Sequence, residues 1–274
     1  MIATDKTGTL TMNEMTVENI WCDGQIESFD FMNVNIDFVI KSKAWRKMIK
    51  IAAICNKAIL QRKEQGISLQ INPQETSLKE NDYLEFVTPN FANQNFKMEN
   101  LQKSNQVLAK QKKDKLLEER KSLQKISIND LVGEPLEKAL LFFSHCFRDF
   151  EALRQRNEKV YELPFNSVNK FQFSVHKKKN GNIFGVIKGA PEIILKKSGS
   201  YLKNGESHNM DQSFKDEFNK TYEFFGSKGE RVIGCAFFEF QAGFKVEELK
   251  KMGASLTFGI EKNNITKLDL FLYD

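Results

Sequence analysis

The sequence has little of what marks a secreted or a membrane-spanning protein. Its four cysteines are widely scattered, without the paired spacing of a zinc site or a redox dithiol, so we expect buried free thiols in a reducing compartment. The longest apolar runs, Ile51–Cys55 and Ala139–Phe143, are too short to cross a bilayer. A polar stretch follows Met1 at once, and no signal peptide is expected.

Histidine and excess charge of one sign are also scarce. The three histidines are not spaced as metal ligands, and no Gly-x-x-x-x-Gly-Lys-Ser/Thr run is present, which removes the P-loop class. Lysine and arginine number 41 against 36 acidic residues, a net charge of +5. This mild excess suits an anionic ligand such as a nucleotide, although lysine-rich solvated faces give the same value.

What the sequence does contain is a globular composition. With 274 residues, 41% hydrophobic and 28% charged, it can bury a sizeable core in one large domain or two ordinary ones. Phenylalanine is common, at 24 residues. A single-stranded nucleic-acid platform would use such rings, but most of them alternate with polar residues, as the core faces of strands do.

The first residues carry the strongest chemical signal. Asp5 is a candidate covalent nucleophile, because a carboxylate attacks phosphorus when the phosphate charge is neutralised and the leaving group is aligned. Lys6 supplies a positive charge, and Thr7 and Thr9 supply hydroxyl and N–H groups. Gly8 lets the backbone approach an oxyanion without a Cβ.

Patterning in the first half of the chain predicts a strand pair and a helix. Residues 15–21 and 25–29 alternate on either side of an Asp23-Gly24 turn. An amphipathic helix is predicted over Ala44–Leu60. From Gln61 to Val132 polar residues dominate and we expect a largely flexible insertion, with one helix over Leu101–Leu123.

Patterning in the second half predicts a hairpin that could hold a nucleotide. Phe171–His176 alternates as a half-buried strand, Asn180-Gly181 forms the tip, and Ile183–Lys188 returns before a helix that begins at Pro191. An ATP site needs an apolar surface for adenine, basic groups for the phosphates and a glycine where the ligand approaches the backbone. This hairpin supplies all three, with Phe165, Lys170, Lys188 and Gly189.

Several of these stretches resemble the P-type cation-transporting ATPases. Asp5–Thr11 is similar to their phosphorylation motif, in which the aspartate accepts the γ-phosphate of ATP. Pro164–Lys170, Lys188–Glu192 and Gly229–Gly234 resemble nucleotide-binding motifs of the sodium/potassium pump group. Gly133–Leu141 resembles a less well matched segment of the sodium/potassium and proton/potassium pumps.

The resemblance implies a set of site residues. Those expected to bind ATP are Glu137, Phe165, Lys170, Gln172, Lys188, Gly189 and Arg231. By this likeness Phe165 stacks on adenine, Lys170 and Gln172 line the pocket, Lys188 lies at its depth and Arg231 contacts the phosphates. Glu137 would help to hold the adenine, but a first-turn glutamate favoured by the helix dipole is an equally good interpretation. Asp5, Lys6 and Thr7 would be catalytic, with Asp5 and Thr7 in an incomplete Mg²⁺ site.

The resemblance also implies a fold class and a domain plan. We expect an α+β domain, an antiparallel sheet flanked by helices, with a long irregular or helical insertion. Residues 1–15 would be a vestige of the phosphorylation domain, 16–255 the nucleotide-binding domain with its insertion at 61–132, and 256–274 a divergent C-terminal tail. Leu256–Ile260 would be the strand that returns to the phosphorylation domain.

The family's hinge, second magnesium motif, actuator loop and transmembrane helices have no counterpart in the sequence. The expected function is therefore that of an ATP-binding portion of a cation pump, which does not cycle alone because Mg²⁺ lacks its other carboxylate ligands. The parent would form an aspartyl phosphate on Asp5 at the cytoplasmic face of a membrane, the plasma membrane by likeness, with ATP, Mg²⁺ and the rest of the pump as partners.

The sequence also admits comparison with two other functional classes. An autonomous ATP-binding regulatory or interaction module stays open as the alternative. A haloacid-dehalogenase-type phosphatase is disfavoured because Thr7 stands where its acid/base aspartate belongs, and no nucleic-acid partner is expected.

Overall fold

The computed structural model describes residues 14–34, 42–61, 125–240 and 269–273, with single positions or pairs at 37, 110–111, 113–114, 117–118, 121, 123, 244 and 246–247. The strands there are β1 (Asn19–Cys22), β2 (Gln25–Ser28), β3 (Ile59–Leu60), β4 (Leu131–Val132), β5 (Asn157–Leu163), β6 (Phe171–Lys178), β7 (Ile183–Gly189), β8 (Ser200–Lys203), β9 (Glu206–Asn209), β10 (Ile233–Glu239) and β11 (Asp269–Tyr273). The helices there are α1 (Lys43–Ile54), α2 (Pro135–Phe147), α3 (Phe150–Arg156), α4 (Pro191–Lys197) and α5 (Gln212–Ser227).

Seven of the strands form one sheet in the order β2-β1-β11-β10-β7-β6-β5, and every pairing in it is antiparallel. Helices cover both faces. Together these features confirm the predicted α+β class. The predicted β1–β2 turn is present, with Asp23 at φ 56° and Gly24 at φ 77°, the mirror-image turn that matches strand twist.

Each face of the sheet has its own core. On one face, residues of α1, α2 and α3 pack with Phe184 and Val186 of β7 and with Cys235 and Phe237 of β10. On the other face the aromatic residues of α5, joined by Ile194 of α4, pack against the alternate residues of β6, β7 and β10. The sheet is therefore the middle of three layers.

Strand β6 was predicted to be half-buried, but both of its faces are covered. Phe171, Phe173 and Val175 face the α5 side, while Gln172, Ser174 and His176 are also buried. The polar set is accommodated by hydrogen bonds: Ser174 Oγ lies 2.9 Å from His176 Nε2, and His176 Nδ1 lies 3.1 Å from the Asn157 carbonyl oxygen. The polar residues of β6 therefore form a buried, hydrogen-bonded face of the strand and not a solvent-exposed one.

Helix α1 is shorter than the predicted Ala44–Leu60. It begins after Ser42, whose hydroxyl accepts a hydrogen bond from the Trp45 N–H at 3.1 Å, and it ends at Ile54. Asn56 accounts for the end, because its Nδ2 donates to the Ala52 carbonyl at 3.0 Å and its Oδ1 accepts from the Ala58 N–H at 2.8 Å. The following Ile59 and Leu60 form a strand instead.

The predicted insertion begins and ends in a two-stranded ladder. Ile59 pairs with Val132 and Leu60 with Leu131, so the two ends of the insertion lie side by side. Residues 62–109 lie outside the described part of the chain. Described positions between 110 and 121 are helical, in agreement with the predicted Leu101–Leu123 helix at those positions.

The C-terminal boundary differs from the prediction. Residues 256–260, expected to be the returning strand, lie outside the described part. Asp269–Tyr273, assigned to a divergent tail, instead forms β11 between β1 and β10, with Tyr273 opposite both Ile20 and Ile233. Both stretches are short apolar runs, and periodicity gives no means of choosing between two such runs.

Candidate functional site

Among the described residues, the stretches predicted to bind ATP meet at one end of the sheet. Phe171 at the start of β6 lies opposite Gly189 at the end of β7, and Gly189 lies opposite Gly234 near the start of β10. The loop of residues 164–170 and the segment of residues 228–232 therefore emerge at this same end. Strand order and register bring these distant stretches of sequence together.

Lys188 is the buried centre of the site. It pairs across strands with Gln172 on β6 and Cys235 on β10, and its side chain faces α2. Its Nζ lies 3.4 Å from Oε1 of Glu137, with side-chain exposures of 6% and 13%. A buried lysine requires such a partner, because an isolated ammonium loses its hydration. The structure thus brings Lys188, Gln172 and Glu137 together.

Glu137 also joins two helices. It lies in the first turn of α2, and its Oε2 accepts a hydrogen bond from the Lys57 N–H at 3.2 Å. Its backbone carbonyl accepts from Asn56 Nδ2 at 2.8 Å. Glu137 therefore has a specific structural role that joins the end of α1 to the start of α2, beyond the general preference of the helix dipole for a first-turn glutamate.

A second carboxylate, Glu162 on β5, was missed by the sequence reasoning. Its Oε1 accepts from Gln172 Nε2 at 2.9 Å and lies 3.5 Å from Lys57 Nζ, and its Oε2 lies 3.2 Å from Lys159 Nζ. Burial acts to raise the pKa of the Glu162 carboxyl, but Lys159, Gln172 and Lys57 outweigh it and hold the pKa below its ordinary value. Lys159 is only three residues away on the same strand, but Lys57 and Gln172 come from other segments, and no motif along the chain relates them to Glu162.

Two buried cysteine thiols lie close to Lys188. Cys235 is the cross-strand neighbour of Lys188, and Cys55 Sγ lies 4.0 Å from the Gln172 carbonyl oxygen. Burial raises the pKa of both thiols, and Lys188 only partly offsets the rise. Both are free, as predicted, and their protonated state makes them part of the packing rather than nucleophiles.

Phe165 and Lys170 lie on the loop that leads into β6. Phe165 is 60% exposed, which is uncommon for a large aromatic residue and leaves it accessible to a ligand. Lys170 has a φ of 58°, and its N–H donates to the Asn166 carbonyl at 2.8 Å. A left-handed conformation at a residue other than glycine is strained, and such strain is enriched at functional sites.

Gly189 is required by packing. A Cβ at this position would lie 2.4 Å from the Lys170 carbonyl oxygen and 2.6 Å from the Phe171 Cα. The Ala190 N–H donates to that same carbonyl at 2.9 Å. The glycine at this position therefore permits close approach of the loop that carries Phe165 and Lys170, and its predicted contact with ATP stays a prediction.

Arg231 is exposed just before β10, at the same end of the sheet. Asp5, Lys6 and Thr7, the predicted catalytic and Mg²⁺-binding positions, lie outside the described residues. Within the described ranges, no group of three or more His, Cys, Asp or Glu side chains is arranged to hold a metal ion. The described helices include none long and apolar enough to span a bilayer.

Comparison with known proteins identifies the class. A family model described as "P-type ATPase, cytoplasmic domain N" matches residues 113–260, more than half of the chain. The chain therefore belongs to the P-type ATPase family, as its motifs suggested.

Individual relatives are pump α-subunits. The chain is 32% identical over 245 residues to the potassium-transporting ATPase alpha chain 2 of Oryctolagus cuniculus, covering 87% of the chain and 17% of the relative. It is 32% identical over 242 residues to the sodium/potassium-transporting ATPase subunit alpha-B of Artemia franciscana, covering 85% and 18%. With the corresponding subunit of Tetronarce californica the identity is 28% over 274 residues, covering 98% and 20%. The chain thus spans a fifth or less of the length of these relatives.

Proposed function

We propose that this chain binds ATP at the end of the sheet formed by β5, β6, β7 and β10, as the nucleotide-binding part of a cation-transporting ATPase. The observation that carries the proposal is the convergence of an exposed aromatic ring, a buried lysine–carboxylate pair and exposed basic residues at one sheet end. A site for a nucleotide combines an apolar surface with a few convergent polar groups in this way.

The direction of β1 supports a link between this site and Asp5. Ile20 lies opposite Tyr273, and Tyr273 lies opposite Ile233, so β1 begins at the same sheet end as the proposed pocket. Residues 14–18, which precede β1, therefore lead to that end. Phosphoryl transfer depends mainly on positioning, and the proposal requires Asp5, earlier in the sequence, to meet the phosphate side of a bound nucleotide.

Each residue proposed to contact ATP has its own role in binding. Phe165 offers a ring face to adenine, Gln172 and Glu137 offer polar groups to its edge, and Lys170 and Arg231 offer positive charge to the phosphates. Lys188 already has a carboxylate partner, so binding would exchange part of the Lys188–Glu137 ion pair for contacts to the nucleotide. Mg²⁺ would accompany ATP, with Asp5 and Thr7 as its proposed protein ligands, and would neutralise phosphate charge.

The proposal extends to the whole pump by family membership. The relatives are named as potassium-transporting and sodium/potassium-transporting ATPases. We infer an aspartyl phosphate on Asp5 in the parent reaction, partnership with actuator and transmembrane parts, and a place on the cytoplasmic face of a membrane. By itself the chain is expected to bind ATP without completing the transport cycle.

The test compares two residues of one loop. Phe165→Ala should weaken ATP binding about tenfold, since stacking of a base on an aromatic ring contributes roughly 1–3 kcal/mol. Val168→Ala is the matched control, because Val168 lies in the same loop, is 87% exposed and has no proposed contact with ATP. Titration calorimetry of the full chain measures both. No ATP binding by the wild type, or equal affinities in the two variants, would contradict the proposed pocket.

A further inference from the structure

Glu230 precedes the exposed Arg231 but is directed inward. It lies between α5 and β10, its Oε2 is buried, and its Oε1 accepts a hydrogen bond from Asn19 Nδ2 at 3.3 Å. Lys228 Nζ lies 3.6 Å from the same Oε1. The segment that presents Arg231 to solvent is therefore attached to the body of the domain through its neighbouring carboxylate.

Asn19 continues this contact into the first two strands. It is the first residue of β1 and is buried, and its Oδ1 accepts from Ser28 Oγ of β2 at 2.9 Å. Strand β11 separates β1 from β10 in the sheet, so the Glu230 side chain reaches past the end of an intervening strand. The hydrogen bonds run from β2 through β1 to the Arg231 segment, at the end of the sheet where β1 begins.

We propose that Glu230 is a positioning residue that fixes the Arg231 segment to β1, the strand that follows the Asp5 motif. The inference rests on the proposed function, since it assumes that Arg231 contacts the phosphates of ATP. The Glu230–Asn19 hydrogen bond thereby ties the location of Arg231 to the start of β1. Glu230 itself does not touch the nucleotide.

A purely electrostatic role and a positioning role of Glu230 predict opposite changes in ATP affinity when its carboxylate is removed. A carboxylate beside a phosphate site repels the phosphates, so its removal should strengthen ATP binding if charge were all that mattered. A positioning role predicts weaker ATP binding, because Arg231 would lose its fixed location. It also predicts that binding of adenosine, which has no phosphate, is unaffected. The two explanations differ in sign.

The experiment titrates the full chain with ATP and with adenosine. Glu230→Ala should weaken ATP binding about threefold to tenfold, in line with the net contribution of one ordinary hydrogen bond, and leave adenosine binding unchanged. Glu230→Asp keeps the charge but shortens the reach to Asn19, and should weaken ATP binding in the same way. Glu230→Gln keeps an acceptor for Asn19 and should bind ATP at least as well as the wild type. Glu223→Ala removes an exposed carboxylate of α5 as a control and should change neither affinity.

A double variant tests whether Glu230 acts through Arg231. Glu230→Ala combined with Arg231→Ala should bind ATP no more weakly than Arg231→Ala alone, because the two side chains serve one contact. Unchanged or tighter ATP binding in Glu230→Ala and Glu230→Asp would overturn the proposal, as would an equal loss for adenosine or additive losses in the double variant. A wild type that fails to bind ATP would instead contradict the proposed function on which the inference rests.

Discussion

The two faces of the central sheet use the same strands differently. On the α5 side, β6 presents Phe171, Phe173 and Val175 to an aromatic core that includes the stacked pair Phe173 and Phe238, with centroids 5.5 Å apart. On the α1 side the alternate residues of the same strand are polar, buried and hydrogen-bonded, and they continue into the Lys188–Glu137 pair. One face of β6 is therefore apolar, and its other face carries the polar residues of the proposed site.

The largest effect is expected on the apolar face. Phe173 is fully buried, so Phe173→Ala should lower the free energy of unfolding by about 3–5 kcal/mol through lost burial and a cavity. Urea unfolding of the full chain measures this. ATP affinity measured in the folded fraction should stay unchanged, because Phe173 faces away from the site. Weaker ATP binding by the folded variant would break the proposed division between the faces.

The second effect concerns pH and the polar face. Burial lowers the pKa of His176 from 6.5 to about 4, so the folded chain holds this ring neutral. The unfolded chain binds a proton as the pH falls through 6.5 while the folded chain does not, and stability is therefore lost between pH 6.5 and about 4. The contribution of this residue is about 3 kcal/mol at most.

Unfolding free energies measured across this pH range test the His176 prediction. A His176→Gln variant should show a shallower fall than the wild type, whereas His208→Gln, at an exposed position, should keep the full slope. Parallel slopes for all three proteins would show that the buried imidazole does not control acid sensitivity.

The smallest of the three effects concerns binding at the site. Lys188→Ala removes a charged hydrogen-bond donor, worth about 1.5–3 kcal/mol, and should weaken ATP binding at least about tenfold. Lys196→Ala removes the same charge from an exposed position of α4 and serves as the control. If both variants lower the affinity equally, net charge rather than the buried lysine would explain binding.

Local patterns predicted the elements whose determinants lie within a few residues. The Asp23-Gly24 turn, the hairpin between β6 and β7, and Pro191 at the start of α4 all follow from local backbone preferences. The motifs likewise pointed to Lys188 and Gln172, which the sheet register does bring together.

What could not be predicted depends on partners distant in sequence. The end of α1 is set by the Asn56 side chain and by pairing of Ile59 with Val132, across the whole insertion. Two of the partners of Glu162, Lys57 and Gln172, lie outside its own strand. Burial of the polar face of β6 depends on helices that its own alternation does not reveal. Periodicity reports which residues share a face, and not what covers that face.

The position of β11 has a consequence for how the domain is made. Tyr273 lies between Ile20 and Ile233 in the sheet. The facing edges of β1 and β10 therefore stay unpaired until residues 269–273 have left the ribosome. Contacts of such long sequence separation slow folding. During synthesis the edges of β1 and β10 that pair with β11 are open to pairing with other nascent chains until β11 covers them.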